Sequence, residues 1–153
     1  MRVLAVCLGN ICRSPAAEAA IVEAASNAGV DVEVDSAGTG AYHLGEPPDQ
    51  RMRRAAADAG LSMSGSARQF EPADFDRFDL IVVMDRANLR AVVGQAPDEN
   101  AAGRVRLFRS FDPDADPDDL DVPDPYYGGA EGFARVVEMV RRAAAGLVAD
   151  IDP

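Results

Sequence analysis

Tryptophan is absent from the 153 residues of this chain, and aromatic side chains of every kind make up only 6% of it. Each aromatic placed in a loop therefore calls for a reason other than filling a core. Cysteine occurs only at positions 7 and 12 and histidine only at 43. Two cysteines so close together make no disulfide framework, and with a single histidine they fall short of a four-ligand zinc site. No apolar run approaches the roughly 20 residues needed to cross a bilayer. The opening MRVLAV lacks the length of a secretory signal. The expectation is a soluble cytoplasmic protein, with export by a route that uses no signal peptide as the alternative. Positive charge is in deficit as well: 15 Lys+Arg against 26 Asp+Glu give a formal charge of −11. A field of that sign repels nucleic acid and anionic membrane surfaces. An anionic substrate would need a local positive spot. There is no internal repeat and no interdomain linker, so residues 1–153 read as one domain. It is expected to be a monomer with no more than weak self-association.

Apolar patterning sets out the elements. RVLAVC (2–7) reads as a short buried strand, and 14–28 as a helix ending near Gly29. Ser14 is placed to cap that helix, and Pro15 suits its first turn, where no amide donor is needed. DVEVDS (31–36) alternates like a strand and leads into a Gly/Pro-rich loop reaching Pro48. A helix fits 49–60, DLIVVMD (79–85) is the clearest buried strand, and another helix covers 86–95. RVRLF (104–108) makes the last strand and 130–149 a final amphipathic helix. Between them, FDPDADPDDLDVPDPYYGG (111–129) holds too many prolines for a helix or strand interior and reads as a surface loop. Its acidic side chains do not follow the spacing of an EF-hand loop. Arg51, Arg53 and Arg54 read as a solvated helix face. Strands alternating with helices imply an α/β layered sheet, largely parallel.

In such sheets ligands gather where strand ends meet helix N-termini, and residues 7–13, CLGNICR, occupy one of these junctions. A tight loop over 8–13 lets its amides converge, and the following helix adds a partial positive end, so the junction is suited to an anion. Gly9 and Asn10 are residue types that accept left-handed backbone. A cysteine at the base of an anion cradle is favoured as thiolate by the amides that would bind phosphate. Arg13 brings a planar fork of donors that grips two phosphate oxygens. The spacing Cys7-x5-Arg13 thus supplies a nucleophile and a phosphate clamp, and the chemistry suggested is attack of sulfur on phosphorus. A Walker-type loop is excluded because no Gly-Lys-Ser/Thr follows Gly9. Cys7 and Cys12 each also have a plain reading as small buried hydrophobes. His43 reads as a loop residue and not as a base.

VCLGNICRSP near the start and DPYYG near the end resemble the low-molecular-weight protein tyrosine phosphatase family. DSAGT (35–39), GEPPD (45–49), ARQF (67–70) and MDRANLR (84–90) resemble it in the same order. The resemblance implies a three-layer sandwich of flavodoxin-like type, a central four-stranded parallel twisted sheet with helices on both faces. It implies a phosphocysteine intermediate on Cys7, a transition state held by Arg13, and Asp124 as general acid and then base. It assigns the phosphate-binding loop to Leu8, Gly9, Asn10, Ile11, Cys12 and Ser14, with Ser14 donating to the Cys7 sulfur and Ser36 bracing Asn10. Leu8 and Ile11 are expected to project from the loop, and Tyr42 and Tyr126, with Tyr127 beside them, to wall a deep slot suited to phosphotyrosine. No metal or cofactor is implied. A reversible Cys7–Cys12 disulfide is implied as protection of the nucleophile. The implied partners are phosphotyrosine proteins and a cognate tyrosine kinase, for which Tyr126 and Tyr127 are also candidate substrates. One departure stands out: relatives carry His just before Ala-Arg-Gln, where this chain has Gly65-Ser66, so the surroundings of Asn10 are expected to differ.

Three other functions compete. A protein arginine phosphatase of the same fold carries Thr where this chain has Ile11. A thiol-dependent arsenate reductase needs further cysteines, and none follows Cys12. A phosphotyrosine-binding or redox-sensing module without turnover would have no use for Asp124.

Overall fold

β1 (Arg2–Cys7) runs through the middle of the molecule with all but its first residue buried. Its side chains alternate between two cores: Val3, Ala5 and Cys7 face one way, Leu4 and Val6 the other. A strand covered on both faces must be apolar throughout, which is why VLAVC carries no polar residue. The computed structural model describes residues 1–151. β1 is flanked by β2 (Glu33–Gly38) and β3 (Leu80–Val83), and β4 (Val105–Leu107) lies outside β3. All three pairings are parallel. The sheet order β2-β1-β3-β4 reverses direction of progression between β1 and β3, so their C-terminal ends open the crevice where ligands bind in such sheets.

Helices cover both faces, as the α/β reading required. On one side α1 (Arg13–Ala28), α2 (Gln50–Asp58) and α6 (Ala130–Ile151) pack together. Ala16, Ala17 and Ala20 of α1 keep that helix low against the sheet, while Phe133, Val136, Val140 and Leu147 of α6 fill the rest of this core. On the other side, Phe70, Phe75 and Phe78 pack under β1 and β3 with Val92 of α4 (Arg86–Val93) and Ala101 of the short α5 (Glu99–Ala102). A one-turn α3 (Asp74–Arg77) carries Phe75 into this core. Neither short helix was evident from periodicity. Among the described residues no helix is long and apolar enough to cross a membrane.

Several expected boundaries move. β2 begins at Glu33 and continues to Gly38, two residues later than the alternating pattern suggested. Parallel pairing with β1 extends from Arg2↔Glu33 to Cys7↔Gly38, and the Gly38 amide and carbonyl bond Arg68 and Phe70 on the far side. A Cβ at Gly38 would lie 2.7 Å from the Leu8 carbonyl oxygen, so only glycine lets the strand end this close to the loop. Ser14 does not cap α1. The helix starts at Arg13, Cys12 takes the cap position without a side-chain bond, and the Ser14 hydroxyl turns to the sulfur of Cys7 instead. Asp49 caps α2, accepting from the Arg51 and Met52 amides. Residues 111–129 contain no strand and no α-helix, but they are not wholly surface. Phe111, Asp112 and Val122 are buried, the Arg109 guanidinium donates to the carbonyls of Asp119 and Asp121 at 2.8 and 2.9 Å, and the Val122 amide donates to Met84 at 2.7 Å. These bonds deliver the segment's end to the mouth of the crevice.

Gly146 lets α6 cross the turn at Phe108–Phe111: a Cβ there would overlap the Phe111 carbonyl. Gly146→Ala should therefore destabilise even though alanine is the better helix former. Because the clash is with backbone, overpacking at or above the top of the usual range, about 3 kcal/mol, set against a propensity gain of about 1 kcal/mol leaves about 2 kcal/mol and lowers the melting temperature by roughly 4–8 °C. Calorimetry showing an unchanged or raised Tm would contradict this packing.

Candidate active site

Residues 8–12 bridge the end of β1 and the start of α1. The loop is fastened at three points: Cys7 and Leu8 carbonyls accept from the Thr39 and Gly40 amides, and the Ile11 carbonyl accepts from Asp49. It reverses at Asn10, whose φ of 56° is the left-handed conformation expected of this residue type. Gly9 is not left-handed. His43 lies over it, with Cδ2 only 3.0 Å from where a Cβ would stand, so a larger residue would push the His43 ring aside.

The Asn10 side chain is fully used. Its Nδ2 donates to Ser14 Oγ at 2.8 Å and Ser36 Oγ at 3.0 Å, and its Oδ1 accepts from the Arg68 amide at 3.0 Å. Every polar atom of this brace is satisfied in this chain with Gly65 and Ser66 before Ala67, the Arg68 amide filling Asn10 Oδ1. Beside this brace lies a polar cavity of about 250 Å³ lined by Asn10, Glu18, Ser36, Ser64 and Ser66. Burial pushes the Glu18 carboxyl above its ordinary range, opposed by hydrogen bonding to Ser36.

The Cys7 sulfur is buried, 3.3 Å from the Asn10 amide that donates to it and 3.0 Å from the Ser14 hydroxyl. Arg13 is 3% exposed, and its Nη1 donates to Asp85 Oδ2 at 2.7 Å and to the Val122 carbonyl at 3.0 Å. Burial works against the guanidinium charge, but Cys7, Asp85 and Asp124 outweigh it and hold the Arg13 pKa above its usual value. Asp85 divides its carboxylate between two tasks: Oδ1 caps α4 at the Asn88 amide, and Oδ2 orients Arg13. Asp124 stands at the mouth, 43% exposed, with Oδ2 at 3.7 Å from Arg13 Nη2 and Oδ1 accepting from the Tyr126 amide at 3.1 Å.

These groups line one cleft of about 340 Å³, with Tyr42, His43, Tyr126 and Tyr127 around its entrance. Tyr126 is the best-packed wall, its ring 5.9 Å from His43 and 5.0 Å from Tyr127. Tyr42 is 73% exposed and folds over Gly40, where a Cβ would lie 2.5 Å from its ring. Tyr127 is the outermost, at 95% exposure. Leu8 projects as expected; Ile11 also lines the cleft, but it is only 7% exposed and its side chain packs into the core as well. Cys12 is also buried, and burial pushes its thiol pKa up, reinforced by Asp49, Cys7 and Asp124. Both cysteines are free thiols.

The candidate nucleophile, clamp, acid, loop and rim residues line one cleft, with Asn10, Ser14 and Ser36 directly behind it. Sequence reasoning missed Asp85, the Val122 carbonyl, the Arg68 amide and the tilted contact of the His43 ring with Tyr126. Asp85 had a signal, a helix-capping residue directly after the most apolar strand; the backbone partners had none.

Known proteins of the same build exist. The family model described as low molecular weight phosphotyrosine protein phosphatase matches residues 2–153. A low molecular weight protein-tyrosine-phosphatase of Streptomyces coelicolor is 50% identical over 152 residues, covering 98% of this chain and 93% of that protein. The human low molecular weight phosphotyrosine protein phosphatase is 38% identical over 143 residues, covering 92% of this chain and 89% of that one. The crystal structure of an Entamoeba histolytica protein tyrosine phosphatase superposes with a TM-score of 0.95 at 36% identity, covering 99% of this chain and 97% of that one. By sequence and by fold, this chain belongs to the low molecular weight phosphotyrosine protein phosphatase family.

Proposed function

We propose that this chain is a protein tyrosine phosphatase that needs no metal and hydrolyses aryl phosphate esters through Cys7. The observation that carries the reading is the convergence of the Cys7 sulfur, the Arg13 guanidinium and the Asp124 carboxyl on a single cleft. The phosphoryl group sits over Cys7, with its oxygens held by loop amides and by Arg13. The sulfur attacks phosphorus as the bond to the phenolic oxygen breaks, and Asp124 gives that oxygen its proton. A water then attacks the phosphocysteine, Asp124 takes its proton, phosphate leaves and the thiolate returns. Ser14, 3.0 Å from the sulfur, stabilises it as leaving group in this second step. Charge on the transferring oxygens is met by Arg13, whose orientation is fixed beforehand by Asp85 and Val122.

Tyr126 and Tyr42 flank the phenyl ring, and the depth from Tyr126 to Cys7 selects phosphotyrosine over the shorter phosphoserine. An arginine phosphatase is the second reading; Ile11 gives the loop an aliphatic side chain where that activity pairs with threonine. The physiological partners are phosphotyrosine proteins, with a tyrosine kinase as the counterpart, and the compartment is the cytoplasm. A peroxide would oxidise the Cys7 thiolate to a sulfenic acid, and the Cys12 thiol would then displace its oxygen as water to give a reversible disulfide that spares the nucleophile.

Cys7→Ser should abolish release of phosphate from an aryl phosphate, and Asp124→Asn should lower kcat by about 10²–10⁴ while leaving binding intact. Undiminished turnover in Cys7→Ser, or a requirement for divalent metal, defeats the mechanism. Asp85→Asn keeps the cap of α4 but weakens the hold on Arg13, so kcat/KM should fall at least ten-fold with the fold retained by circular dichroism. Equal kcat/KM would show that Arg13 needs no such support. Iodoacetamide should label Cys7 alone in the native protein, because the raised pKa keeps buried Cys12 as a thiol; mass mapping that finds Cys12 labelled first would contradict this. Phosphotyrosine and phosphoarginine peptides compared on the wild type and on Ile11→Thr separate the two readings, and a wild-type preference for phosphoarginine reverses their order.

A further inference from the structure

α2 presents Arg51, Arg53 and Arg54, and the structure gives them different surroundings. Arg51 and Arg54 are three apart and share one helix face, where both line a groove of about 730 Å³ between α2 and the segment that opens α6. Arg53 does not line it. Arg51 is engaged: its guanidinium lies 5.2 Å from the Tyr126 ring centre and 4.8 Å from that of Phe133, and it pairs with Asp49 at 3.0 Å. Tyr126 therefore has the catalytic cleft on one side and Arg51 with the groove on the other. Gly128, Gly129 and Phe133 supply a floor with little side-chain obstruction. Asp58 and Glu131 also line the groove, but none of the ion pairs among the described residues includes Arg54. Arg54 is an exposed cation beside a like charge, next to the entrance of a site in a protein of charge −11.

We propose that this groove is a subsite for the polypeptide flanking the phosphotyrosine, and that Arg54 pairs there with an anionic side chain of the substrate. Resting on the phosphatase reading, the inference adds a preference outside the phosphate cleft. Three features support it. The groove adjoins the cleft, separated from it by Tyr126 and the Arg51 guanidinium that packs on its ring. Arg51 is already neutralised by Asp49, whereas Arg54 on the same helix face has no ion-pair partner among the described residues and is free to take an anion. The net charge of the protein disfavours acidic segments everywhere else, so a local cation has the larger influence on which flanks are accepted. The anion is either a carboxylate or a second phosphate. The contact lies far from the reacting phosphorus and is equal in ground and transition states, so its effect falls on KM and not on kcat.

The test compares phosphotyrosine peptides flanked by Glu, by Gln, by Lys or by phosphoserine, each referred to a free aryl phosphate that has no flank. In the wild type, kcat/KM should favour Glu over Gln flanks by about three-fold, the scale of one exposed ion pair, and phosphoserine flanks by more if the second phosphate is the better ligand. Arg54→Gln should bring the Glu-to-Gln ratio close to one, and Arg54→Glu should shift the preference to Lys flanks. Raising the salt concentration should erase the wild-type preference. An equal wild-type response to Glu and Gln flanks, or a Glu preference that survives in Arg54→Gln, overturns the subsite. Failure to release phosphate from the free aryl phosphate as well as from every peptide would instead remove the phosphatase reading, and the subsite with it.

Discussion

A buried cation that must stay charged is the constraint around which this protein is arranged. Arg13 is almost wholly out of water, and an unpaired charge in that position would cost several kcal/mol. The fold answers from the opposite side of the crevice. β3 leads through Met84 to Asp85 at the start of α4, and the acidic segment before α6 returns with the Val122 carbonyl, both bonding the same Nη1. Val122 is itself tied to β3 through Met84. The pairing of β1 with β3 is thus what allows Arg13 to be charged, and the second guanidinium nitrogen is left facing the cleft with Asp124 at 3.7 Å. Ion pairs of this kind add little to stability by themselves. Their effect here is to fix a fork of donors before a phosphate arrives.

The thiol side of the cleft depends on neutral hydrogen bonds. Asn10, Ser14 and Ser36 form a closed set, and every polar atom of the Asn10 side chain has a partner. A loop held this way keeps its amides aimed at one point and gives Ser14 a fixed place beside the sulfur. It also explains why Ser14 fails to cap α1: its hydroxyl is committed to the loop. The helix start keeps its amides free of any side-chain cap, which suits a site built for an anion.

Much of this was legible in the residues. The uniform apolarity of VLAVC and LIVV fixed two central strands, because parallel strands covered on both faces admit no polar positions. The pattern of Cys7, Asn10 and Arg13 at a strand-to-helix junction located the cleft, and the tyrosines stood out because aromatics are so few. What stayed hidden was carried by backbone groups and by distance. Nothing in the sequence indicates that the Arg68 amide fills Asn10 Oδ1, that Val122 lends its carbonyl to Arg13, or that β2 runs on to Gly38 because the loop needs a partner without a Cβ. That Ile11 both lines the cleft and packs into the core was equally out of reach, since its burial depends on residues far along the chain. The acidic stretch looked like plain solvent-exposed loop because its buried anchors, Phe111 and Val122, are outnumbered by aspartates.

The central claim is that Cys7 becomes covalently phosphorylated during turnover. Rapid mixing with an aryl phosphate, denaturation within milliseconds at alkaline pH and peptide mapping by mass spectrometry test it directly. The account predicts phosphate on Cys7, at the level of a transient intermediate in the wild type and absent from Cys7→Ser. A burst of phenol release with no phosphate on the protein, or phosphate on any residue other than Cys7, would contradict it.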